Sequence, residues 1–275
     1  RYCLNTGTIM VSMVDLVAEV ELAAAAVYSG IELWLRKLNQ YVADGNSLTE
    51  LRHRITDLGL VVESAIGFST WAVDDATRRK NAFDEIQRDM DQLAQIGGKR
   101  LAASPAGINQ TPGLNLDRIA ERYRTILDLG RDLGVLPQLE IWGSAATLGR
   151  VSEAAYVAIQ SQHPDACLLL DVFHMDKGNS GFKGLRLLNG AAMHVFHIND
   201  YPADPGRDQI NDSHRVYPGD GVAPLAEILN NLYHTGFRGA LSLELFNREY
   251  WQQEARSVTR TGLEKMRAVV AQALG

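Results

Sequence analysis

Clustered positive charge is absent from this sequence. Its 275 residues include 27 Lys and Arg against 33 Asp and Glu, a formal net charge of −6, and no basic run occurs. Proteins that bind nucleic acids meet the phosphates with clustered Lys and Arg, so we expect no nucleic-acid partner. No apolar stretch approaches the roughly 20 residues that span a bilayer, so we also expect no membrane partner. These absences predict a soluble protein, with the cytoplasm as the favoured compartment.

Cysteine is scarce, and the sequence has no initiator methionine. Cys3 and Cys167 lie in apolar, strand-like segments, which is typical of small core residues and indicates little about redox compartment. The sequence begins at Arg1, almost inside its first predicted strand, so removal of an upstream leader stays open. No low-complexity linker divides the chain, and 46% of its residues are hydrophobic. We therefore expect residues 1–275 to form a single domain with a large core.

Short β-rich runs alternate with amphipathic helical patterns along the whole sequence. The eight predicted strands are Tyr2–Ile9, Gly30–Leu35, Leu60–Ile66, Lys99–Ala103, Leu136–Trp142, Ala166–Val172, Ala192–Ile198 and Gly239–Phe246. Eight β-then-α units in about 275 residues match the count and size of a TIM barrel. A doubly wound sheet would normally have a glycine-rich phosphate loop after its first strand, and residues 5–8 do not form one. The sequence therefore predicts an α/β fold, a single (β/α)8 TIM barrel.

One pattern recurs in the last four predicted strands, where a single acid or imidazole stands between two apolar residues. The four polar residues are Glu140, Asp171, His197 and Glu244. Side chains alternate faces along a strand, so the apolar neighbours face the helices and each polar residue points into the barrel. All four lie near the carboxyl ends of their strands, where TIM-barrel sites are built, and neighbouring strands are about 4.8 Å apart. We expect the four side chains to converge.

This convergence predicts a metal site. Three buried carboxylates without a cation would repel one another and become protonated, whereas a divalent ion removes the repulsion. The alternative is a set of separate inward polar groups, each satisfied by hydrogen bonds, and it is less favoured for four residues in adjacent strands. Three carboxylates and one imidazole suit Mn²⁺, Mg²⁺ or Co²⁺ better than a structural Zn²⁺, although a zinc ion is also compatible. We expect one divalent ion with open coordination positions.

Longer motifs around these residues resemble the xylose isomerase-like TIM-barrel superfamily, which includes sugar isomerases and epimerases, inosose dehydratases and endonuclease IV. The matching segments are Leu139–Trp142, Asp171–His174, Phe196–Asp200, Arg215–Gly221 and Leu243–Leu245. The resemblance implies that Glu140, Asp171, His197 and Glu244 bind the metal. It also implies that the two glutamates move protons and that His174 and Arg215 contact substrate.

Two further residues extend this predicted site. Trp142 belongs to a group of aromatic residues near strand ends, and an aromatic-lined pocket would suit the apolar face of a sugar ring. Trp142 is therefore a candidate substrate contact. Glu32 stands between two apolar residues like the four predicted ligands, which makes it a candidate acid behind the metal site.

The resemblance implies a divalent-metal-dependent isomerase or epimerase of a keto-sugar or related polyol, acting by proton abstraction alpha to a carbonyl through an enediolate. A dehydratase of a keto-polyol such as an inosose would use the same residues. An inactive sugar-binding barrel is less favoured, because it needs no matched pair like Glu140 and Glu244. An endonuclease IV-like phosphodiesterase is also less favoured, because the strand ends at residues 63–67 and 101–105 lack the histidines of its zinc cluster. The expected partner is a small sugar or polyol, with self-association left open.

Overall fold

The computed structural model describes residues 1–10 and 14–275. Its strands are β1 (Tyr2–Asn5), β2 (Gly30–Trp34), β3 (Val61–Ile66), β4 (Arg100–Ala103), β5 (Leu136–Glu140), β6 (Leu168–Asp171), β7 (Met193–Ile198) and β8 (Ala240–Leu243). Its α-helices are α1 (Leu16–Ala25), α2 (Leu35–Ala43), α3 (Leu48–Asp57), α4 (Ala76–Gln95), α5 (Leu116–Leu133), α6 (Val151–Gln160), α7 (Val172–Lys177), α8 (Leu225–His234) and α9 (Ala255–Leu274). Short 3-10 helices occupy several of the connections.

The eight strands form one parallel sheet that curves into a nearly closed barrel. Their order is β3-β2-β1-β8-β7-β6-β5-β4, and β1 pairs with both β2 and β8, which joins the first unit to the last. At the seam between β3 and β4, the Ser104 hydroxyl donates to the Gly67 carbonyl oxygen at 3.1 Å. The predicted (β/α)8 TIM barrel is confirmed. Within the described ranges, every helix is too short or too polar to cross a membrane.

The connection from α5 to β5 illustrates how the helices are fitted to the barrel. Gly134 ends α5 in the left-handed region at φ 71°, a conformation that a residue without Cβ adopts without strain. One turn earlier, a Cβ on Gly130 would lie 2.2 Å from the carbonyl oxygen of Val135. The two glycines therefore let the chain reverse closely and return to the sheet after the helix.

Five strands, β1, β2, β5, β6 and β8, end earlier than the sequence pattern predicts. The predicted first strand runs to Ile9, but β1 ends at Asn5, whose side chain accepts the Gly7 N–H and begins a 3-10 helix. The predicted sixth strand runs to Val172, but Asp171 ends β6 and caps α7 by accepting the His174 N–H at 2.7 Å. Polar side chains at these strand ends satisfy the first N–H groups of the next turn and so stop the extended chain. In β8, the strand ends one residue before Glu244.

Glu19, in α1, makes the stability of the fold dependent on pH. Its side chain is buried beside Lys37, and burial raises its pKa to about 7. When the pKa of a carboxyl group is higher in the folded than in the unfolded protein, the folded protein becomes less stable as pH rises from the unfolded-state pKa through the folded-state pKa. The unfolding free energy of Glu19→Gln does not depend on this titration. From pH 5 to pH 8.5 its difference from the wild type should therefore rise, in favour of the variant, by on the order of 2 kcal/mol. Urea denaturation at both pH values measures this gain, and an equal difference at the two would contradict it.

Candidate functional site

The carboxyl ends of β5 to β8 bring the four predicted polar residues to one mouth of the barrel. Glu140 and Asp171 are the last residues of their strands, His197 lies near the end of β7, and Glu244 directly follows β8. All four are at most 4% exposed. Ligand atoms of Asp171, His197 and Glu244 lie within 4.8 Å of one another, which makes these three residues a possible divalent metal site.

The two ring nitrogens of His197 have different environments. Nε2 lies 2.9 Å from Oε2 of Glu32 on β2. Nδ1 lies 3.2 Å from Oε2 of Glu244 and 3.8 Å from Oδ2 of Asp171, yet it has no hydrogen-bond partner. A buried nitrogen that faces two carboxylates without bonding to either is suited to a metal ion.

Arg215 supplies a buried positive charge to the same group of residues. Its Nη1 donates to Oδ2 of Asp171 at 2.8 Å and to Oε2 of Glu244 at 2.9 Å. The guanidinium carbon lies over two aromatic rings, 4.7 Å from the ring centre of Phe173 and 5.1 Å from that of Phe246. These contacts fix the guanidinium and hold both carboxylates in place. The substrate contact predicted for Arg215 stays a prediction.

His174 lies beside this arginine. Its Nε2 is 3.0 Å from Nη2 of Arg215, and its Nδ1 accepts the backbone N–H of Gly143 at 3.2 Å. Burial and the charge of Arg215 lower the pKa of His174, so the neutral ring is favoured near pH 7. Asp212, on the following loop, accepts from Nη2 of Arg215 at 2.7 Å. The loop motif is thus tied to the strand ends through the arginine.

Two asparagines that sequence reasoning missed orient the acidic groups. Asn5 donates through Nδ2 to both Oε1 of Glu244 and Oε2 of Glu32, each at 2.9 Å. Asn199 donates to Oδ2 of Asp171 at 2.9 Å. Asn5 ends β1 and Asn199 directly follows β7. Their positions at strand ends were the signal that could have identified them.

The acidic groups differ in their electrostatic surroundings. Burial, followed by the negative charge of Glu244, raises the pKa of Glu140 to about 8. Burial acts in the same direction on Glu244, but the positive charges of His197 and Arg215 lower its pKa overall. For His197, burial favours the neutral ring, whereas the charges of Glu244 and Glu32 raise the pKa. The two glutamates thus have opposite protonation preferences in the metal-free protein.

A cavity of about 300 Å³ opens above these groups. It is lined by Trp34, Ile66, Phe68, Glu140, Trp142, Ser144, His174, Asp212, Glu244 and Phe246. Four aromatic rings form one continuous wall, with centroid distances of 5.3 Å for Trp34–Phe68 and 5.9 Å for both Trp34–Phe246 and Phe68–Trp142. Two of the three predicted substrate contacts, Trp142 and His174, line this cavity.

The site has the donors and the charge that a divalent cation requires. Nδ1 of His197 and Oε2 of Glu140 are buried without hydrogen-bond partners. Five carboxyl groups, those of Glu32, Glu140, Asp171, Asp212 and Glu244, surround one guanidinium and the imidazoles of His174 and His197. Because buried charges need compensation, this excess of acidic over basic groups fits a metal ion. Glu140 lies outside the compact three-residue group, so its role as a ligand stays a prediction.

Comparison with known proteins places the chain among related barrels. A family model described as a xylose isomerase-like TIM barrel matches residues 20–269. The chain belongs to this family. The resemblance predicted from the strand-end motifs is therefore confirmed.

Relatives of this xylose isomerase-like barrel include enzymes of two reaction types. The chain is 27% identical to inosose isomerase of Bacillus velezensis, over 98% of this chain and 97% of the relative. It is 23% identical to 3-dehydroshikimate dehydratase of Pseudomonas putida, over 90% of this chain and 39% of the relative. Among solved structures, the IOLI protein, determined with a bound zinc atom, superposes with a TM-score of 0.90 at 23% identity, over 100% of this chain and 99% of that protein.

Proposed function

We propose that this protein is a divalent-metal-dependent isomerase or epimerase of an uncharged keto-sugar or related polyol. The chain is an enzyme of the class to which its named sugar isomerase and epimerase relatives belong. One observation above all supports the specific proposal. Glu140 and Glu244 line the same cavity, and Glu244 also belongs to the candidate metal group with Asp171 and His197. A cavity with two carboxyl groups next to a metal-type cluster suits proton transfer on a chelating substrate.

Glu140, Asp171, His197 and Glu244 would hold the metal. When bound, a divalent ion supplies Lewis-acid polarisation of the substrate carbonyl and so makes the adjacent C–H bond more acidic. Oxygen donors predominate in this set, which favours Mn²⁺, Mg²⁺ or Co²⁺. The zinc in the structure of the IOLI protein supports a divalent ion in this protein.

Glu140 and Glu244 would form the proton-transfer pair. One carboxylate removes the proton from the carbon alpha to the carbonyl, and the electron pair of that C–H bond forms the enediolate. The other carboxyl group delivers a proton to the opposite face of the same carbon for epimerisation. For isomerisation it delivers the proton to the neighbouring carbon, while the hydroxyl proton of the enediolate passes to the other oxygen. Asp171 and His197 lie between the two glutamates in the order of strands, so a substrate above them meets a carboxyl group on either side.

The lining of the cavity favours an uncharged substrate. Among the described residues that line it, three are carboxylates, at Glu140, Asp212 and Glu244, and none is Lys or Arg. Arg215 lies behind them and is already paired with Asp171, Glu244 and Asp212. A phosphate or carboxylate on the substrate would therefore face like charges without a free partner. The aromatic wall, in contrast, suits the apolar face of a sugar or cyclitol ring, with His174 and Trp142 as contacts.

A dehydratase acting on a keto-polyol such as an inosose is the second candidate. It would begin with the same proton abstraction and then expel a hydroxyl group as water, so it needs the same pair of acids. The similarity to 3-dehydroshikimate dehydratase supports this second candidate. The anionic lining of the cavity argues against the carboxylate-bearing substrate of that relative.

The test is incubation of metal-loaded enzyme in D2O with inosose, a panel of uncharged keto-sugars and the phosphorylated form of one of them. We expect NMR to detect deuterium at the carbon alpha to the carbonyl of an uncharged substrate, with a rearranged product for an isomerase or epimerase. An unsaturated or deoxy product would assign the dehydratase. Faster exchange in the phosphorylated substrate would contradict the charge argument, and no exchange in any substrate would contradict the proposed chemistry.

A further inference from the structure

Glu32 lies behind the candidate metal cluster and is completely buried. Three donors converge on its Oε2, namely Nδ2 of Asn5 at 2.9 Å, Oγ of Ser242 at 2.8 Å and Nε2 of His197 at 2.9 Å. A buried carboxylate is costly to keep, because several kcal/mol of hydration is lost on burial. The donors that offset this loss all lie at or near the ends of β1, β7 and β8, so the structure around the site stabilises the buried acid.

The contact with Glu32 determines which nitrogen of His197 faces the cluster. An ionised carboxylate only accepts hydrogen bonds, so the nitrogen beside it, Nε2, must carry a proton. In a neutral ring, Nδ1 is then unprotonated and can donate its lone pair. Nδ1 is the nitrogen that faces Asp171 and Glu244 without a hydrogen-bond partner.

Glu32 also supports Glu244 through an intermediate amide. Nδ2 of Asn5 donates both to Oε2 of Glu32 and to Oε1 of Glu244. The Asn5 amide is itself fixed, because its Oδ1 accepts the N–H of Gly7 at 2.8 Å and the indole N–H of Trp34 at 3.1 Å. A single acid on β2 is thus connected to two of the three clustered residues.

We propose that Glu32 is a positioning residue for the metal. It holds the His197 ring with Nδ1 toward the ion and, through Asn5, restrains the carboxylate of Glu244. Because the partner of a metal-bound histidine fixes the ring and raises its basicity, removing it weakens metal binding by roughly 10- to 100-fold. This inference rests on the metal site of the proposed function.

Glu63 provides a matched control. It is a glutamate on the adjacent strand β3, and like Glu32 it is 0% exposed. Its carboxylate pairs with Arg1 and Arg100, near the amino ends of the strands. Glu63→Gln therefore makes the same chemical change inside the same barrel, away from the metal cluster.

The experiment compares metal binding by wild type, Glu32→Gln and Glu63→Gln, after chelator treatment and calorimetric titration with Mn²⁺. We expect Glu32→Gln to raise the dissociation constant by about 10- to 100-fold, with Glu63→Gln close to the wild type. Equal affinity of Glu32→Gln and wild type would overturn the positioning role while leaving the metal proposal intact. Absence of binding by the wild type would overturn both.

A second measurement does not depend on whether Glu32→Gln folds. In ¹⁵N-labelled wild type loaded with Zn²⁺, the His197 signal is assigned by its loss in His197→Asn. We expect its proton on Nε2 and the metal on Nδ1. A proton on Nδ1, with the metal on Nε2, would overturn the proposal from the wild-type spectrum alone.

Discussion

Glu140→Gln and Glu244→Gln should each lower turnover by on the order of 100-fold or more, because a positioned general acid or base contributes about that much. Glutamine has nearly the shape of glutamate but cannot accept and return a proton at neutral pH. Both side chains are buried and line the cavity, so water does not substitute readily for either. Steady-state kinetics on the substrate found in the D2O experiment measures the loss. Metal content is measured on the same samples.

Hydrogen exchange separates the two glutamates. One variant should still incorporate deuterium at the alpha carbon, and that variant keeps the glutamate that removes the first proton. The other variant should incorporate no deuterium, because it lacks that glutamate. Glu63→Gln, a buried glutamate outside the cavity, serves as the control and should keep wild-type turnover. If both site variants turned over normally with metal bound, the proton-transfer pair would have to be sought elsewhere.

Asp171→Ala and His197→Ala should each abolish stoichiometric metal binding. Each substitution removes one of the three clustered donors, so the ion would keep only the other two and Glu140, which lies outside that compact group. Elemental analysis of freshly purified protein measures the metal content, and circular dichroism checks the fold. The barrel should persist, because its core consists of apolar side chains between the sheet and the helices.

Asp171→Asn tests the same point with less disturbance of Arg215. The arginine is fully buried and pairs with Asp171, so alanine leaves part of its charge without a partner, whereas an amide oxygen can still accept from it. We expect metal loss in the asparagine variant as well. Wild-type protein that contains no metal when purified, and takes up none on addition, would contradict the metal proposal.

The barrel and the residues at its mouth were predictable because both depend on local patterns. Strand side chains alternate strictly, so an acid between two apolar residues points inward wherever that strand lies in the sheet. Asp171 and His197 also lie on adjacent strands, in register with one another. The sequence therefore identified these residues without any knowledge of contacts.

The supporting contacts were not predictable, because they join residues that are far apart in the chain. Asn5 donates to Glu244 across 239 positions, and Glu32 accepts from His197 across 165 positions. No periodicity encodes such pairs. The strand ends were also misjudged, because Asn5 and Asp171 use their side chains to cap the following turn, and capping competes with extension of the strand.

The two carboxylate oxygens of Asp171 connect the metal cluster to the wall of the cavity. Oδ2 contacts Arg215 and faces His197, while Oδ1 accepts the backbone N–H of His174. A rotation of this carboxylate would therefore strain or release the first turn of α7. His174 lies in that turn and lines the cavity. We therefore expect metal binding at the candidate cluster to change the shape of the cavity.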